Sequence, residues 1–241
     1  MPALIVGNWK MNGLGDDIAE IAAMAGAAAG SGARSLWIAP PFTLIDRAVI
    51  VSAGAVKIGG QDCHANAKGA HTGCVSAAML ADLGAGFVIV GHSERRRDNG
   101  ESDADVRAKS QAGQAAGLEV ILCVGETREQ RGAGQTNAVL SAQLAGSLPG
   151  DAEALIIAYE PVWAIGTGLI PTLDDVAAAH AHIRAELVAR YGPAGHGVRI
   201  LYGGSVTPAN AADLLRVKEV GGVLVGGASL TAQSLLAIAA A

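Results

Sequence analysis

In this 241-residue chain several polar residues stand where apolar runs end, and their types suggest proton chemistry. Glu160 follows LIIAY and precedes Pro161 in AYEPVWAIGTGLIP, so its carboxylate emerges from an apolar run into a partly dry setting. Desolvation raises the pKa of a carboxylate toward that of a useful base, and such a group takes a proton from carbon. His92 ends FVIVGH just before an expected helix start, where Ser93 is placed to cap and the helix dipole opposes a charged imidazole. A neutral histidine there donates a hydrogen bond. Lys10 stands two residues past the first apolar run, framed by Trp9 and Met11 in NWKMNG, with Asn8 near enough to hold it. Its ammonium attracts an anionic substrate and stabilises oxyanion charge as it develops.

Two further stretches, LYGGSVTPAN and VLVGGASL, run from an apolar segment through Gly-Gly to Ser and on toward a helical segment. Turns of this kind present backbone N–H groups at a helix start and suit a phosphate, although tight strand-helix turns need glycine too. A base, a neutral hydrogen-bond donor, a cation and a phosphate cradle together describe proton transfer beside the carbonyl of a phosphorylated sugar. Cys63, Cys74 and Cys123 are an odd number without CxxC or Cys/His spacing, so neither a disulfide framework nor a structural zinc site is expected. No metal and no cofactor is called for, and neither a nucleotide loop nor an activated nucleophile stands out. His64, His71, His180, His182 and His196 lie in helical, Gly-rich or long connecting segments and read as solvated or structural.

Bringing residues so far apart in sequence to one place is a task for the fold. The chain contains eight short apolar runs: LIVGN, SLWIAP, VKIGGQ, FVIVGHSE, EVILCVGE, LIIAYEP, VRILYGGS and GVLVGGAS. Runs that are apolar throughout read as parallel strands buried on both faces. Alanine-rich, helix-permissive segments separate most of them, several starting after Ser, Thr or Asp and stopping at Gly. Even repeats, with polar residues after nearly every run, favour one (β/α)8 TIM barrel domain over residues 1–241, an α/β fold of eight parallel strands ringed by helices, over a doubly wound open sheet. The active site of such a barrel lies at the C-terminal strand ends. That rule selects Asn8, Lys10, Gln61, His92, Glu94, Glu126, Glu160, Ser205, Gly226 and Gly227. A net charge of −5 without a basic tract argues against nucleic acid or an anionic membrane as partner. MPALIVGNWKMNG lacks the charged and long apolar regions of a signal peptide, and no run of roughly 20 apolar residues is present, so a soluble cytoplasmic protein is expected.

The motifs NWKMNG, GHSERR, CVGET, YEPVWAIGTG, YGGSV and GGASL, in this order, resemble the triosephosphate isomerase family along nearly the whole chain. The roles that follow come from that resemblance, the family being itself a standard case of pKa tuning. It implies that Glu160 moves a proton between C1 and C2 of dihydroxyacetone phosphate and D-glyceraldehyde 3-phosphate through an enediolate. His92 is then the neutral electrophile at the carbonyl oxygens, and Lys10 and Asn8 complete the oxyanion site. Backbone groups of Gly166, Ser205, Gly226 and Gly227 hold the phosphate; Cys123 and Glu126 support the site without reacting, and Glu94 orients its neighbours. Pro161, Val162, Trp163, Ala164, Ile165, Gly166, Thr167 and Gly168 form a lid that keeps water from the enediolate. Thr72, in AKGAHTGCVS, reaches the active site of a second subunit in a homodimer.

The sequence departs from the family pattern at three places. In GA(Y/F)TGE, His71 replaces the aromatic residue and Cys74 the glutamate that pairs with an arginine of the partner, by position Arg95. Losing one exposed pair, worth about 0 to 1 kcal/mol, leaves dimerisation intact. Asp98 and Asn99 stand where an aromatic residue is frequent, with a local surface effect expected. After the lid, Leu169, Ile170 and Pro171 replace Lys, Thr or Val, and Ala. Pro171 has no N–H for the hydroxyl of Tyr202, so closure leans on the YGGS backbone and Ser205, and the hinge stiffens. An isomerase of a four-carbon sugar phosphate and a catalytically silent barrel that binds phosphorylated metabolites are the alternatives. Intact His92, Glu160 and Lys10 oppose the silent barrel, and the unshortened lid tract favours the smaller substrate.

Overall fold

Val, Ile and Leu follow one another in the strands without a polar break because alternate residues face two different apolar environments. The computed structural model describes residues 2–30, 35–165, 169 and 171–241. Its strands are β1 (Leu4–Asn8), β2 (Ser35–Ala39), β3 (Lys57–Gly60), β4 (Phe87–Val90), β5 (Glu119–Val124), β6 (Leu155–Tyr159), β7 (Arg199–Tyr202) and β8 (Gly222–Val225). They pair in parallel in sequence order, and β1 closes the barrel by pairing with β2 at Ile5↔Leu36 and with β8 at Ile5↔Val223. Phe87, Ile89, Ile121 and Cys123 belong to a cluster with Leu4, Val6, Trp37 and Leu224 inside the barrel, whereas Val88, Val90, Val120 and Leu122 pack outward against the helices. Both faces are therefore dry, as expected for a sheet covered by helices.

The helices among the described residues are α1 (Ile18–Gly30), α2 (Ile45–Ser52), α3 (Ala77–Asp82), α4 (Ser93–Asp98), α5 (Asp103–Ala115), α6 (Arg128–Gly132), α7 (Thr136–Ser147), α8 (Leu173–Tyr191), α9 (Ala211–Arg216) and α10 (Ala232–Ala240). Side chains of Ser76, Ser102, Thr127, Thr172 and Thr231 cap α3, α5, α6, α8 and α10 by accepting from backbone N–H groups of the first turn. One cap differs from the sequence expectation. His92, not Ser93, is the N-cap of α4, and Ser93 is the first helical residue. An imidazole nitrogen does the work of a hydroxyl, which frees the Ser93 N–H for another acceptor.

Among the described residues no helix is long and apolar enough to cross a membrane. The three cysteines are free thiols, with Cys63 and Cys123 buried and Cys74 exposed. Glycine is indispensable where strand ends crowd. A Cβ on Gly125, just past β5, would lie 1.7 Å from the carbonyl oxygen of Glu160, so only glycine lets the ends of β5 and β6 meet.

Candidate active site

The C-terminal end of β1 is held in a strained turn. Lys10 adopts a left-handed backbone, φ 54°, and its N–H donates to Asn8 Oδ1 at 3.0 Å. Asn8 thus fixes the backbone of Lys10 and leaves its ammonium free to reach elsewhere. Gln61, past β3, donates from Nε2 to the Lys10 carbonyl at 2.8 Å and to the Ala39 carbonyl at 2.9 Å. A non-glycine residue at positive φ costs about 1 to 3 kcal/mol and persists only where its surroundings hold it, as Asn8 and Gln61 do here. The Lys10 Nζ pairs with Glu94 Oε1 at 2.6 Å.

From Glu94 the contacts run to the two residues singled out for proton chemistry. The Glu94 backbone N–H points at His92 Nδ1, 3.3 Å away, so that nitrogen presents a lone pair and the ring proton sits on Nε2. Nε2 in turn faces Glu160 Oε1 at 3.0 Å. Glu160 Oε2 accepts from the Ser93 N–H at 2.9 Å. Both side chains are nearly closed to solvent, with Glu160 2% and His92 5% exposed.

The titration of this pair differs from the sequence expectation. Burial alone raises the Glu160 pKa, but the His92 charge and hydrogen bond and the Ser93 N–H outweigh it and hold the carboxyl below its ordinary value. For His92, burial opposes a charge, yet the Glu160 carboxylate outweighs burial and raises the imidazole pKa. The expected raised carboxylate is therefore absent from this geometry, because desolvation was reckoned without the donors that Glu160 meets. The N–H aimed at Nδ1 is the feature that still disfavours a second ring proton.

These groups open on a cleft of about 380 Å³ lined by Asn8, Lys10, His92 and Glu160 on one side and by Gly203, Gly204, Ser205, Gly226 and Gly227 on the other. The glycines are there for room. A Cβ on Gly204 would meet the Tyr202 hydroxyl at 2.2 Å and Pro161 at 3.1 Å, and one on Gly203 would meet Glu160 Cγ at 3.1 Å. At Gly226 a Cβ would stand 3.6 Å from Lys10 Cε, so this backbone runs beside the ammonium. A concave site with an ammonium against glycine turns suits a small anion.

Not every predicted residue enters the cleft. Glu126 is fully buried behind it, where Oε1 accepts from the Tyr159 hydroxyl at 3.1 Å and from Trp163 Nε1 at 2.8 Å. Its Oε2 has no partner among the described residues. The Glu126 carbonyl also accepts from Val162 N–H at 3.1 Å, at the start of a short 3-10 turn over Val162–Ala164. Cys123 faces the barrel interior, and burial pushes its thiol well above the ordinary value. Tyr202 keeps a buried hydroxyl with no partner among the described residues, and Pro171 is buried. Gly166, Thr167, Gly168 and Ile170 lie outside the described residues.

The loop carrying Thr72 projects from β3. Thr72 is exposed, while the His71 ring packs against His64 of the same loop with centroids 4.0 Å apart. Arg95 pairs inside its own chain with Asp62 at 2.9 Å and Glu101 at 2.5 Å, and Asp98 pairs with Arg97 on the surface. Among the described residues no cluster of His, Cys, Asp and Glu is arranged to hold a metal. Asn12, Ile165, Val206, Thr207, Leu224 and Ala228 also line the cleft. Apart from Ile165, within the expected lid, none had been singled out; Thr207 lies three residues after one Gly-Gly turn and Ala228 directly after the other, the one signal available for them.

A family model described as triosephosphate isomerase matches residues 3–241. A triosephosphate isomerase of a Ruegeria species is 58% identical over 240 residues, covering 99% of this chain and 97% of the relative. That of Granulibacter bethesdensis is 54% identical over 247 residues, covering 100% and 99%. A crystal structure of triosephosphate isomerase from Bartonella henselae superposes with a TM-score of 0.92 at 46% identity, covering 99% of this chain and 98% of that one.

Proposed function

The chain belongs to the triosephosphate isomerase family and is an aldose–ketose isomerase of triose phosphates, and from that premise we propose that Glu160, His92, Lys10 and Asn8 carry the proton transfer. Glu160 removes a proton from C1 of dihydroxyacetone phosphate. The Nε2–H of His92 donates to the carbonyl oxygen as charge moves onto it, giving the enediolate. His92 passes its Nε2 proton to O2 and takes the hydroxyl proton from O1 in its place, and return of the carbon-derived proton from Glu160 to C2 gives D-glyceraldehyde 3-phosphate, a balance that needs no cofactor. Lys10 offsets the charge on oxygen and phosphate, Asn8 holds its backbone, and Glu94 steadies both Lys10 and His92.

The observation that carries this reading is the 3.0 Å approach of His92 Nε2 to Glu160 Oε1 at the wall of a cleft that Lys10 and the Gly-Gly turns share. A carboxylate that leaves His92 and Ser93 to reach carbon loses the donors that depress its pKa and keeps its burial. Its basicity then rises at the moment it is needed. Phosphate is held by backbone groups of Gly166, Ser205, Gly226 and Gly227. The segment from Pro161 to Gly168 closes as a lid, lid closure being a behaviour for which this family is a standard example, and it suppresses elimination of phosphate from the enediolate. The chain works as a single domain, in the cytoplasm, as a homodimer in which Thr72 completes the partner's site.

The test is a coupled assay with D-glyceraldehyde 3-phosphate and with its four-carbon analogue. Higher kcat/KM on the triose is expected; a preference for the four-carbon sugar overturns the triose assignment, and no turnover of either overturns the enzymatic one.

A further inference from the structure

Arg131, in the last turn of α6, touches both banks of the lid. Its guanidinium lies over the ring of Trp163, with the carbon 4.6 Å from the ring centroid. Its Nη2 pairs with Asp175 Oδ1 at 2.8 Å, and its Nη1 stands 4.0 Å from Glu126 Oε1. Trp163 belongs to the first turn of the lid, two residues after Pro161. Asp175 is in the first turn of α8, the helix that follows the lid, and is tied there by a capping box with Thr172. One side chain therefore spans the root where the lid begins and the element where it must end.

The surroundings make a cation necessary at this point. Glu126 already holds the Trp163 indole N–H, so the ring is fixed at its edge by a carboxylate and over its face by the guanidinium. Without Arg131, Glu126 and Asp175 would approach the same gap with no charge between them. Burial works against a charge on Asp175, but the hydrogen bonds from Arg131 and Thr172 hold its carboxyl below the ordinary value. A flat guanidinium can stack on indole and chelate carboxylate at once, which an ammonium cannot.

We propose that Arg131 is a positioning residue for the isomerisation, acting by tying Trp163 to Asp175 and so setting the hinge at Pro161 from which Glu160 is delivered to substrate. The inference rests on the lid described under the proposed function and deepens it. Its consequence is a particular failure. A loose hinge exposes the enediolate, so phosphate is eliminated in competition with return of the proton: the C–O bond to phosphate breaks, its electron pair leaves with the phosphate, and the enediolate electrons form the new double bond.

The experiment compares wild type, Arg131→Ala, Arg131→Lys and Asp175→Asn for isomerase kinetics and for inorganic phosphate released per isomerisation. Arg131→Ala should lower kcat on the order of tenfold, as misplacement of a reacting group does, with KM for D-glyceraldehyde 3-phosphate changed by less than about threefold. Its phosphate release per turnover should rise by a similar factor, with Arg131→Lys and Asp175→Asn in between. A lower melting temperature with unchanged kcat and unchanged phosphate ratio means that Arg131 only stabilises the fold and overturns the proposal. Should Arg131→Ala fail to fold, an unchanged ratio in both other variants overturns it equally. Absence of isomerisation in the wild type would instead remove the function itself, so the two failures are distinct.

Discussion

Adjacent strands β5 and β6 are each followed closely by a buried glutamate, and the two sit in opposite settings. Glu126 follows VILCVG and Glu160 follows LIIAY, two contexts that a strand-end rule treats alike. Glu160 faces the cleft, and its partners are an imidazole and a backbone N–H that it can leave. Glu126 faces away from it and is gripped by Tyr159, just before Glu160, and by Trp163, two residues after Pro161. In the proposed reaction one carboxylate moves, and its neighbour holds the base from which it moves. Strand-end position gives a residue its address, and the donors it meets there decide its task.

The most severe way to break this contrast is Glu160→Asp. Withdrawing the carboxylate by one methylene should cut kcat by about a hundredfold or more with little change in KM, read by steady-state kinetics. A comparable loss in KM would mean that Glu160 binds substrate and is not the moving base.

The support behind Glu126 can be probed by pH. His180 packs edge-on against the Tyr159 ring at 5.9 Å and sets Nδ1 3.2 Å from the Glu219 carbonyl. Burial drives its pKa down to about 4, so the folded state keeps it neutral while the unfolded chain takes up a proton below about 6.5. The His180 contribution to stability should therefore fall as pH drops from about 6.5 toward 4, by up to about 3 kcal/mol, and level off below that window. Urea unfolding across pH 4 to 7 reads this slope, and His180→Gln should remove it. A slope unchanged in the variant would assign it to other groups.

Glu126→Gln is a milder cut, since the amide oxygen still accepts from Trp163 while the charge is lost. A decrease in kcat of roughly tenfold is expected, about 1.4 kcal/mol, the scale of a weakened hydrogen bond to a charged group. A loss as large as that of Glu160→Asp would erase the distinction between the two glutamates. Smallest of all should be Pro171→Ala at the far hinge. It restores a backbone N–H and relaxes the backbone, with kcat changing by about twofold or threefold and destabilisation within about 1 kcal/mol. Unchanged opening rates by relaxation dispersion would show that the proline does not stiffen the hinge.

The strands were readable because burial on both faces leaves an unbroken apolar run, and the rim followed because polar residues interrupt those runs at their C-terminal ends. Asn8, Lys10, His92 and Glu160 were accessible for that reason, and all four line the cleft. The cap of α4 was misread because Ser is the commoner cap, whereas an imidazole is favoured here by its contact with Glu160, 68 residues further along (160 − 92). Arg131 and Asp175 carried no signal, being ordinary charged residues on helices until the lid is placed between them. The pKa of Glu160 was misjudged in direction because composition around a residue reveals its burial and not its hydrogen-bond donors.

The amino-acid sequence by itself determined the eight strands, their shared polarity and the set of side chains at one end, since these depend on local runs of apolar residues and on the handedness that parallel strands impose. Which of those side chains turns into the cleft and which turns behind it was decided only in the closed barrel. The missing Cβ at Gly125 lets the ends of β5 and β6 approach, and that approach points Glu126 toward Trp163 and leaves Glu160 to meet His92 across the rim.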